Sequence, residues 1–194
     1  MLPYFFYIVG KVCKVFFFEK SVKKFFALFL CLAQFAFKGC LYFGLMLTPN
    51  GPKVIEYNCR FGDPETQVVL PLLESDLLTV MKAVTEERLS EISVKFKDQS
   101  ACCVILASNG YPSKYEKGFE LTIAPEVKDN VFVAGAAFRD NKIVTNGGRV
   151  VGVTALGETL EKAISNAYLM VQKVSFENAF YRRDIGEKAL KLKR

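Results

Sequence analysis

The stretch TPNGPKVIEYNCRFGDPETQ, residues Thr48–Gln67, combines a turn, a strand and several polar side chains within a short length of chain. Asn50-Gly51-Pro52 predicts a turn, because Gly and Pro adopt backbone angles that other residues resist. The β-branched and aromatic residues of Lys53–Asn58 predict a strand. The apolar run Cys40–Leu47 comes shortly before the turn, so the two segments are expected to pair as a β-hairpin.

Glu56 and Asn58 stand two residues apart on the second predicted strand. Side chains alternate between the faces of a strand, so these two share a face, and Ile55 and Tyr57 share the other. A carboxylate and an amide oxygen together suit Mg²⁺, which prefers oxygen ligands. Strands whose polar face meets water show the same spacing, and the nearby Arg60 and Asp63 also fit an ordinary surface pair. Spacing alone leaves both interpretations open.

The composition is that of a globular protein, since 51% of the 194 residues are apolar and 24% are charged. This length suits one large domain or two small ones. The net charge of +6 is mild, and no aromatic-basic recognition pattern of a nucleic-acid surface accompanies the basic ends. The sequence has no histidine, which excludes His-based triads and His-ligated metal sites. We expect no nucleic-acid partner.

The six cysteines show no Cys-x-x-Cys spacing. Cys102-Cys103 lies within an apolar run that is typical of a core strand. Reduced thiols of this kind are usual in the cytoplasm, which is the expected location.

Residues 1–37 are rich in Phe and Lys and differ from the rest of the chain. Their longest apolar window, Phe25–Phe37, is shorter than the roughly 20 residues that span a bilayer. A signal peptide is an alternative, because Lys23 and Lys24 precede this window, but another apolar run comes before them. We expect either a separate leader or sequence that replaces a missing portion of a larger protein, with membrane association as the less favoured interpretation.

The segment after the hairpin predicts two helices. Asp63 is expected to cap the first, with Pro64 at its first position and Pro71 ending or kinking it. The second is expected to open at Ser75-Asp76 and to run to about Glu87, with apolar residues at helical spacing.

Strands dominate the segment from residue 100 to residue 155. Four are predicted, at Ser100–Ala107, Val131–Phe138, Lys142–Thr145 and Arg149–Thr154. The second and third are expected to pair as a hairpin, and Asn146-Gly147-Gly148 turns the chain into the fourth. A long helix over residues 158–173 follows, so the predicted fold class is α+β.

Four sequence runs resemble the phosphoribosylamine–glycine ligase family. The run LYFGLMLTPNGPKVIEYNCRFGDPETQVVLPLLESDL is similar to the end of its ATP-grasp domain. ASNGYPSKYEKG, TNGGRVVGVTALGETLEKA and FYRRDIGEKAL are similar to its C-terminal domain, in the same order. The resemblance covers about Phe37 to Leu190. It implies a C-terminal fragment, with the end of an ATP-grasp domain over residues 38–95 and a small β-rich C-terminal domain over residues 96–194.

The resemblance also implies a reaction of purine biosynthesis. In this family ATP phosphorylates the carboxylate of glycine, and the amine of 5-phosphoribosylamine displaces phosphate to form an amide. By motif, Glu56 and Asn58 are then ligands of Mg²⁺ or Mn²⁺, and ATP is the co-substrate. Arg60 neutralises phosphate or acyl-phosphate charge, and Asp63 holds the substrate amine. The preceding strand, LYFGLML, offers no further acidic ligand.

Arg149 follows Asn146-Gly147-Gly148, whose backbone N–H groups suit a phosphate. A solvent-facing residue at a strand start would have the same sequence, but the resemblance favours contact with the 5-phosphate of the substrate. Arg182 and Arg183 are weaker candidates for the same anion, and Asp184 is expected to cap or pair locally.

A different class of function also fits the chain. A non-catalytic binding or assembly module would retain the C-terminal domain to associate with N-terminal ligase domains or with other purine-pathway enzymes. Such a module needs neither the metal pair nor the phosphate contact.

We predict that the isolated chain does not turn over. A full ligase of this family has an N-terminal domain and a glycine-rich loop that holds ATP, and residues 1–36 show no recognisable counterpart to these parts. An assay of ATP hydrolysis with glycine and phosphoribosylamine tests this, and turnover by the pure protein would contradict it.

Overall fold

The structure, a computed structural model, describes residues 3–9, 38–48 and 50–192. Most of the predicted leader, including Phe25–Phe37, lies outside the described residues. The chain divides into two compact units, the first formed by Met1–Thr66 and Leu73–Phe96, the second by Gln67–Leu72 and Lys97–Arg194. The changeover after Phe96 lies next to the boundary predicted between residues 95 and 96. Within the described residues, no helix combines the length and apolar character needed to cross a membrane.

The first unit contains an antiparallel sheet in the order β1-β2-β3. Its strands are β1 (Pro3–Val9), β2 (Cys40–Thr48) and β3 (Gly51–Asn58). The predicted hairpin is confirmed, since β2 and β3 pair from Thr48 opposite Gly51 to Tyr42 opposite Asn58. Gly44 pairs with Glu56 and Leu45 with Val54, so Ile55 is an extra residue in β3. Such a bulge locally bends and twists a strand.

The first helix, α1 (Thr66–Leu72), begins later than predicted. Asp63, Pro64 and Glu65 form a turn, which the Thr66 N–H closes by donating to the Gly62 carbonyl over 3.0 Å. Asp63 and Pro64 therefore lie before the helix, not at its cap and first position. Pro71 is inside the helix, which ends at the next residue, as its missing N–H and ring favour.

The second helix, α2 (Leu77–Thr85), begins where Ser75-Asp76 predicts. Asp76 caps it, because its Oδ1 accepts hydrogen bonds from the backbone N and the Oγ1 of Thr79, both over 2.7 Å. The helix and a following 3₁₀ turn form a small core in this unit, consisting of Val80, Ala83, Val84 and Leu89. The two hydrogen bonds from Thr79 hold the pKa of the Asp76 carboxyl below its usual value.

The cap makes stability depend on pH. Because the Asp76 pKa is lower in the folded state, its stabilisation is present above the carboxyl pKa of the unfolded chain and is lost as the pH falls through the folded value. We expect Asp76→Ala to lower the thermal midpoint at pH 7, and the difference from wild type to shrink at about pH 3. Asp98→Ala, at an exposed loop carboxylate, is the control. A difference that stays constant with pH would contradict this.

The second unit contains a four-stranded antiparallel sheet in the order β11-β4-β9-β6, with helix α3 against one face. The strands of this unit are β4 (Ser100–Ser108), β5 (Thr122–Ile123), β6 (Val131–Val133), β7 (Ala136–Arg139), β8 (Lys142–Thr145), β9 (Arg149–Gly157), β10 (Val174–Ser175) and β11 (Ala179–Phe180). The helices after residue 100 are α3 (Leu160–Val171) and α4 (Glu187–Leu192). Mixed helices and antiparallel strands confirm the α+β class.

The main core lies between this sheet and α3. Alternate residues of β4 and their partners on β9 are buried in it: Cys102, Val104, Leu106, Val151, Val153 and Ala155. Burial raises the pKa of the Cys102 thiol to about 11, so this cysteine is a core residue and not a nucleophile. The other face of the sheet carries Cys103 and Ile105, and Gly152 is opposite Ile105. A Cβ added at Gly152 would lie 3.9 Å from Cγ of Gln67. Gln67 therefore lies beside the face opposite α3.

The predicted strand Val131–Phe138 is two strands in two sheets. Strand β6 pairs with β9 and β7 pairs with β8, because the chain breaks at Ala134-Gly135. There the Gly135 N–H donates to the carbonyls of Arg149 and Val150, over 2.9 and 3.1 Å. The predicted hairpin turn is confirmed at Asp140 and Asn141, whose φ values of 47° and 60° suit a two-residue turn.

The break at Gly135 has no room for a side chain. A Cβ there would overlap the Arg149 carbonyl oxygen and lie 2.8 Å from the Gly147 Cα. We expect Gly135→Ala to reduce the free energy of unfolding by about 1–3 kcal/mol, the usual effect of overpacking. Denaturant unfolding measures this, with Ala134→Ser at the exposed neighbour as the control. Equal stability of the two variants would contradict it.

Candidate functional site

Glu56 and Asn58 lie on one face of β3, as predicted. Glu56 is opposite Gly44 and Asn58 is opposite Tyr42, and directly opposed residues of an antiparallel pair project to the same side. A Cβ added at Gly44 would lie 3.0 Å from Cγ of Glu56 and 3.6 Å from the hydroxyl oxygen of Tyr42. The Glu56 side chain therefore crosses the space above Gly44, and the absence of a side chain there leaves its path open.

The opposite face of the hairpin is fixed by an aromatic contact. The rings of Phe43 and Tyr57 meet edge to face, with centroids 5.2 Å apart and planes at 81°. Tyr57 thus faces away from Glu56, as the alternation predicts. Because Phe43 is buried, this contact holds the register that places Glu56 and Asn58 together.

The donor set fits a hard divalent cation that retains other ligands. Glu56 is exposed and Asn58 is partly buried, so the carboxylate is accessible. Mg²⁺ usually takes one or two protein oxygens and completes its shell with water and phosphate oxygens. Within the described residues, no group of three or more His, Cys, Asp or Glu side chains could hold a metal. Two protein oxygens leave places in such a shell for water and for the oxygens of a ligand.

Arg60 and Asp63 lie in the irregular segment that follows β3, and both side chains are exposed. The Arg60 Nη1 donates to the Phe61 carbonyl over 2.8 Å, which orients the guanidinium. Chain continuity places both residues within a few positions of the strand end that carries Asn58. The grouping of these polar side chains into one site stays a prediction.

A second site involves two motifs that are distant in sequence but packed together in the second unit. The Ser108 N–H donates to the Gly148 carbonyl over 2.8 Å, and the Ser108 hydroxyl donates to the Gly147 carbonyl over 3.0 Å. A Cβ added at Gly148 would overlap the ring of Tyr111. Sequence reasoning missed the role of Ser108, which is completely buried. Its position at the end of an apolar strand, just before Asn109-Gly110, is the signal that was available.

The N–H groups and carbonyls of the glycine turn differ in their hydrogen bonding. Asn146 uses its N–H in a bond to the Gly135 carbonyl over 2.8 Å. Gly147 and Gly148 use their carbonyls, and within the described chain neither N–H has a protein acceptor. Consecutive backbone N–H groups of this kind suit an anion.

Arg149 is exposed and lies on the sheet face away from α3. Leu106 pairs with Val151 and Ala107 with Arg149, so Val150 is an extra residue in β9. Val150 and Val151 are both buried in the core on the α3 side. Because Ala107 follows the core-facing Leu106, Ala107 and its partner Arg149 point to the other side. The bulge therefore decides which face receives the guanidinium.

Arg182 makes its contacts locally, in the segment that follows β11. Arg182 forms a two-pronged ion pair with Asp184, over 2.9 and 2.6 Å, so the predicted local pairing of Asp184 is confirmed. The hydrogen bond from Arg182 lowers the pKa of the Asp184 carboxyl. Tyr168 of α3 holds this segment, since its hydroxyl donates to the Arg182 carbonyl and accepts from the Ile185 N–H, over 2.8 and 3.0 Å. The segment is thus bound on the α3 side.

Two family models match the chain. The C domain of phosphoribosylglycinamide synthetase matches residues 101–188, and the ATP-grasp (A) domain of the same enzyme matches residues 18–66. A phosphoribosylamine–glycine ligase of Caldanaerobacter subterraneus is 52% identical over 151 residues, which are 77% of this chain and 36% of that protein. The chain belongs to the phosphoribosylglycinamide synthetase family. The ATP-grasp match begins at residue 18, inside the segment expected to be a separate leader, so the boundary at residue 37 stays only a prediction.

Other relatives extend this result. The trifunctional purine biosynthetic protein adenosine-3 of Gallus gallus is 51% identical over 78% of this chain, which spans 16% of that protein. The crystal structure of phosphoribosylamine–glycine ligase from Thermotoga maritima is similar with a TM-score of 0.82 and 31% identity, covering 95% of this chain and 55% of that one. The family members that the chain matches are therefore longer than the chain itself.

The fold is shared more widely. The biotin carboxylase domain of a single-chain bacterial carboxylase matches 92% of this chain and 49% of its own, with a TM-score of 0.59 and 14% identity. This likeness concerns the fold alone.

Proposed function

We propose that the chain forms part of a cytoplasmic phosphoribosylamine–glycine ligase, which joins glycine to 5-phosphoribosylamine through an acyl phosphate made from ATP. The observation that carries this proposal is the pair Glu56 and Asn58 on one face of β3, with the Glu56 side chain exposed. Relatives named for this activity support it, and the match to the ATP-grasp (A) domain model, over residues 18–66, includes both residues of the pair.

Glu56 and Asn58 would hold Mg²⁺ or Mn²⁺ through one carboxylate and one amide oxygen. The bound ion neutralises charge on the phosphate oxygens of ATP, which is the main requirement of phosphoryl transfer. Gly44 contributes by leaving the path of the Glu56 side chain open. A carboxylate that can move slightly suits a cation whose remaining ligands belong to the substrate.

Arg60 and Asp63 would contact substrate groups of opposite character. The positively charged Arg60 would contact anionic oxygens, and the negatively charged Asp63 would contact the amine. Arg60 keeps guanidinium N–H groups for anionic oxygens after one of its Nη1 donors binds the Phe61 carbonyl. It would neutralise the phosphate or acyl phosphate. Asp63 is an exposed carboxylate, suited to accept hydrogen bonds from the amine of 5-phosphoribosylamine and so to orient it.

Arg149 and the N–H groups of Gly147 and Gly148 would bind the 5-phosphate of the substrate. The turn supplies backbone N–H dipoles, which bind without a loss of side-chain entropy. Arg149 supplies positive charge. Arg182 is a poor contributor because Asp184 already balances its charge. We also propose association with N-terminal ligase domains or other purine enzymes, which the trifunctional relative supports.

A titration with Mn²⁺, followed by the electron paramagnetic resonance of the free ion, tests the metal pair. We expect weak binding by the full chain, no binding by Glu56→Ala, and reduced binding by Glu56→Gln, which keeps an oxygen but loses the charge. Gly44→Val should also reduce it by displacing the Glu56 side chain. Glu74→Ala, at another exposed carboxylate of the same unit, is the matched control.

The outcomes separate the candidate functions. Unchanged Mn²⁺ binding in Glu56→Ala would remove the pair from the site. Absence of Mn²⁺ binding in the wild-type chain would contradict the metal assignment and favour the non-catalytic assembly module.

A further inference from the structure

Three side chains form a row across neighbouring strands of the second unit. Ala107 of β4 pairs with Phe180 of β11 on one side and with Arg149 of β9 on the other. Opposed residues of antiparallel strands project to the same face, so all three share the face away from α3. The next residue after Phe180 supports this direction, because Tyr181 packs against the core on the α3 side.

The middle residue of the row has a small side chain, and the two outer residues have large ones. Ala107 contributes only a methyl group and is buried, whereas Phe180 is 52% exposed. Neighbouring strands are about 4.8 Å apart, so the backbones of Phe180 and Arg149 are roughly 10 Å apart. The row thus places an aromatic ring and a guanidinium on either side of a small residue, an arrangement that we call the 107 recess.

The guanidinium end continues into the glycine turn. Gly148 directly precedes Arg149, and the N–H groups of Gly147 and Gly148 have no acceptor within the described chain. One end of the 107 recess therefore suits a dianion. The other end offers the face or edge of a phenyl ring, which suits C–H groups of a ligand.

We propose that Phe180 is the wall of the 107 recess that packs against the pentose ring of a sugar 5-phosphate, while Arg149 and the glycine turn bind its phosphate. This inference rests on the proposed function and adds a residue that distinguishes a phosphosugar from bare phosphate. A pentose 5-phosphate has the required chemistry, because a dianionic group is joined to a compact ring with C–H faces. Ala107 matters by being small, since a larger side chain would fill the recess.

Isothermal titration of the full chain with ribose 5-phosphate and with inorganic phosphate, at equal ionic strength, tests this. We expect Phe180→Ala to weaken ribose 5-phosphate binding roughly 3- to 10-fold, the range of one aromatic contact, and to leave inorganic phosphate unchanged. Phe180→Leu keeps the apolar strand residue but removes the ring, so it should show the same selective loss even if the alanine variant folds poorly.

Three variants complete the design. Arg149→Ala should weaken both ligands, Phe180→Tyr should retain both, and Phe138→Ala, at an exposed aromatic of β7, should change neither. Equal effects of Phe180→Leu on the two ligands, or no effect on either, would overturn the inference. So would wild-type binding of ribose 5-phosphate no tighter than that of inorganic phosphate. Mn²⁺ binding through Glu56 is measured separately, so failure here leaves the metal assignment standing.

Discussion

The antiparallel pairing of β4 with β9 is the contact on which the second unit depends. It places Cys102, Val104 and Leu106 beside their partners on β9, and this apolar face packs against α3. Burial of such a face is the main source of stability for a small domain. The single extra residue in this pairing, Val150, keeps two consecutive valines in the core and turns Arg149 to the other face. One irregularity thus serves both packing and the placement of a cation.

Close backbone approach organises the loops at the end of this pairing. Gly135 and Gly147 touch without room for a Cβ, and Gly148 lies under the ring of Tyr111. Ser108 joins the two motifs by bonding to both glycine carbonyls. These contacts engage the carbonyls of Gly147 and Gly148, whereas their N–H groups have no acceptor in the described part of the chain.

Most of the hairpin and of the metal pair could be predicted from local sequence. Alternation fixes Glu56 and Asn58 on one face whatever the strand packs against, and the turn residues set the hairpin register. The cap at Asp76 was equally local. The errors have tertiary causes. Helix α1 begins after the Asp63–Glu65 turn, and Val131–Phe138 divides because Gly135 bonds to β9, a strand far away in sequence.

The sequence by itself determined the α+β class, the family and the shared strand face of Glu56 and Asn58, because motifs and strand periodicity are local properties. Only the tertiary structure decided where the cationic groups go. Arg149 faces away from α3 because of a bulge in a long-range strand pair, and Arg182 is held on the α3 side by Tyr168 and neutralised by Asp184. Phe180 joined the candidate site only through pairing with Ala107. Such placements depend on which strands meet, and contacts between distant parts of the chain leave no periodic signal in the sequence.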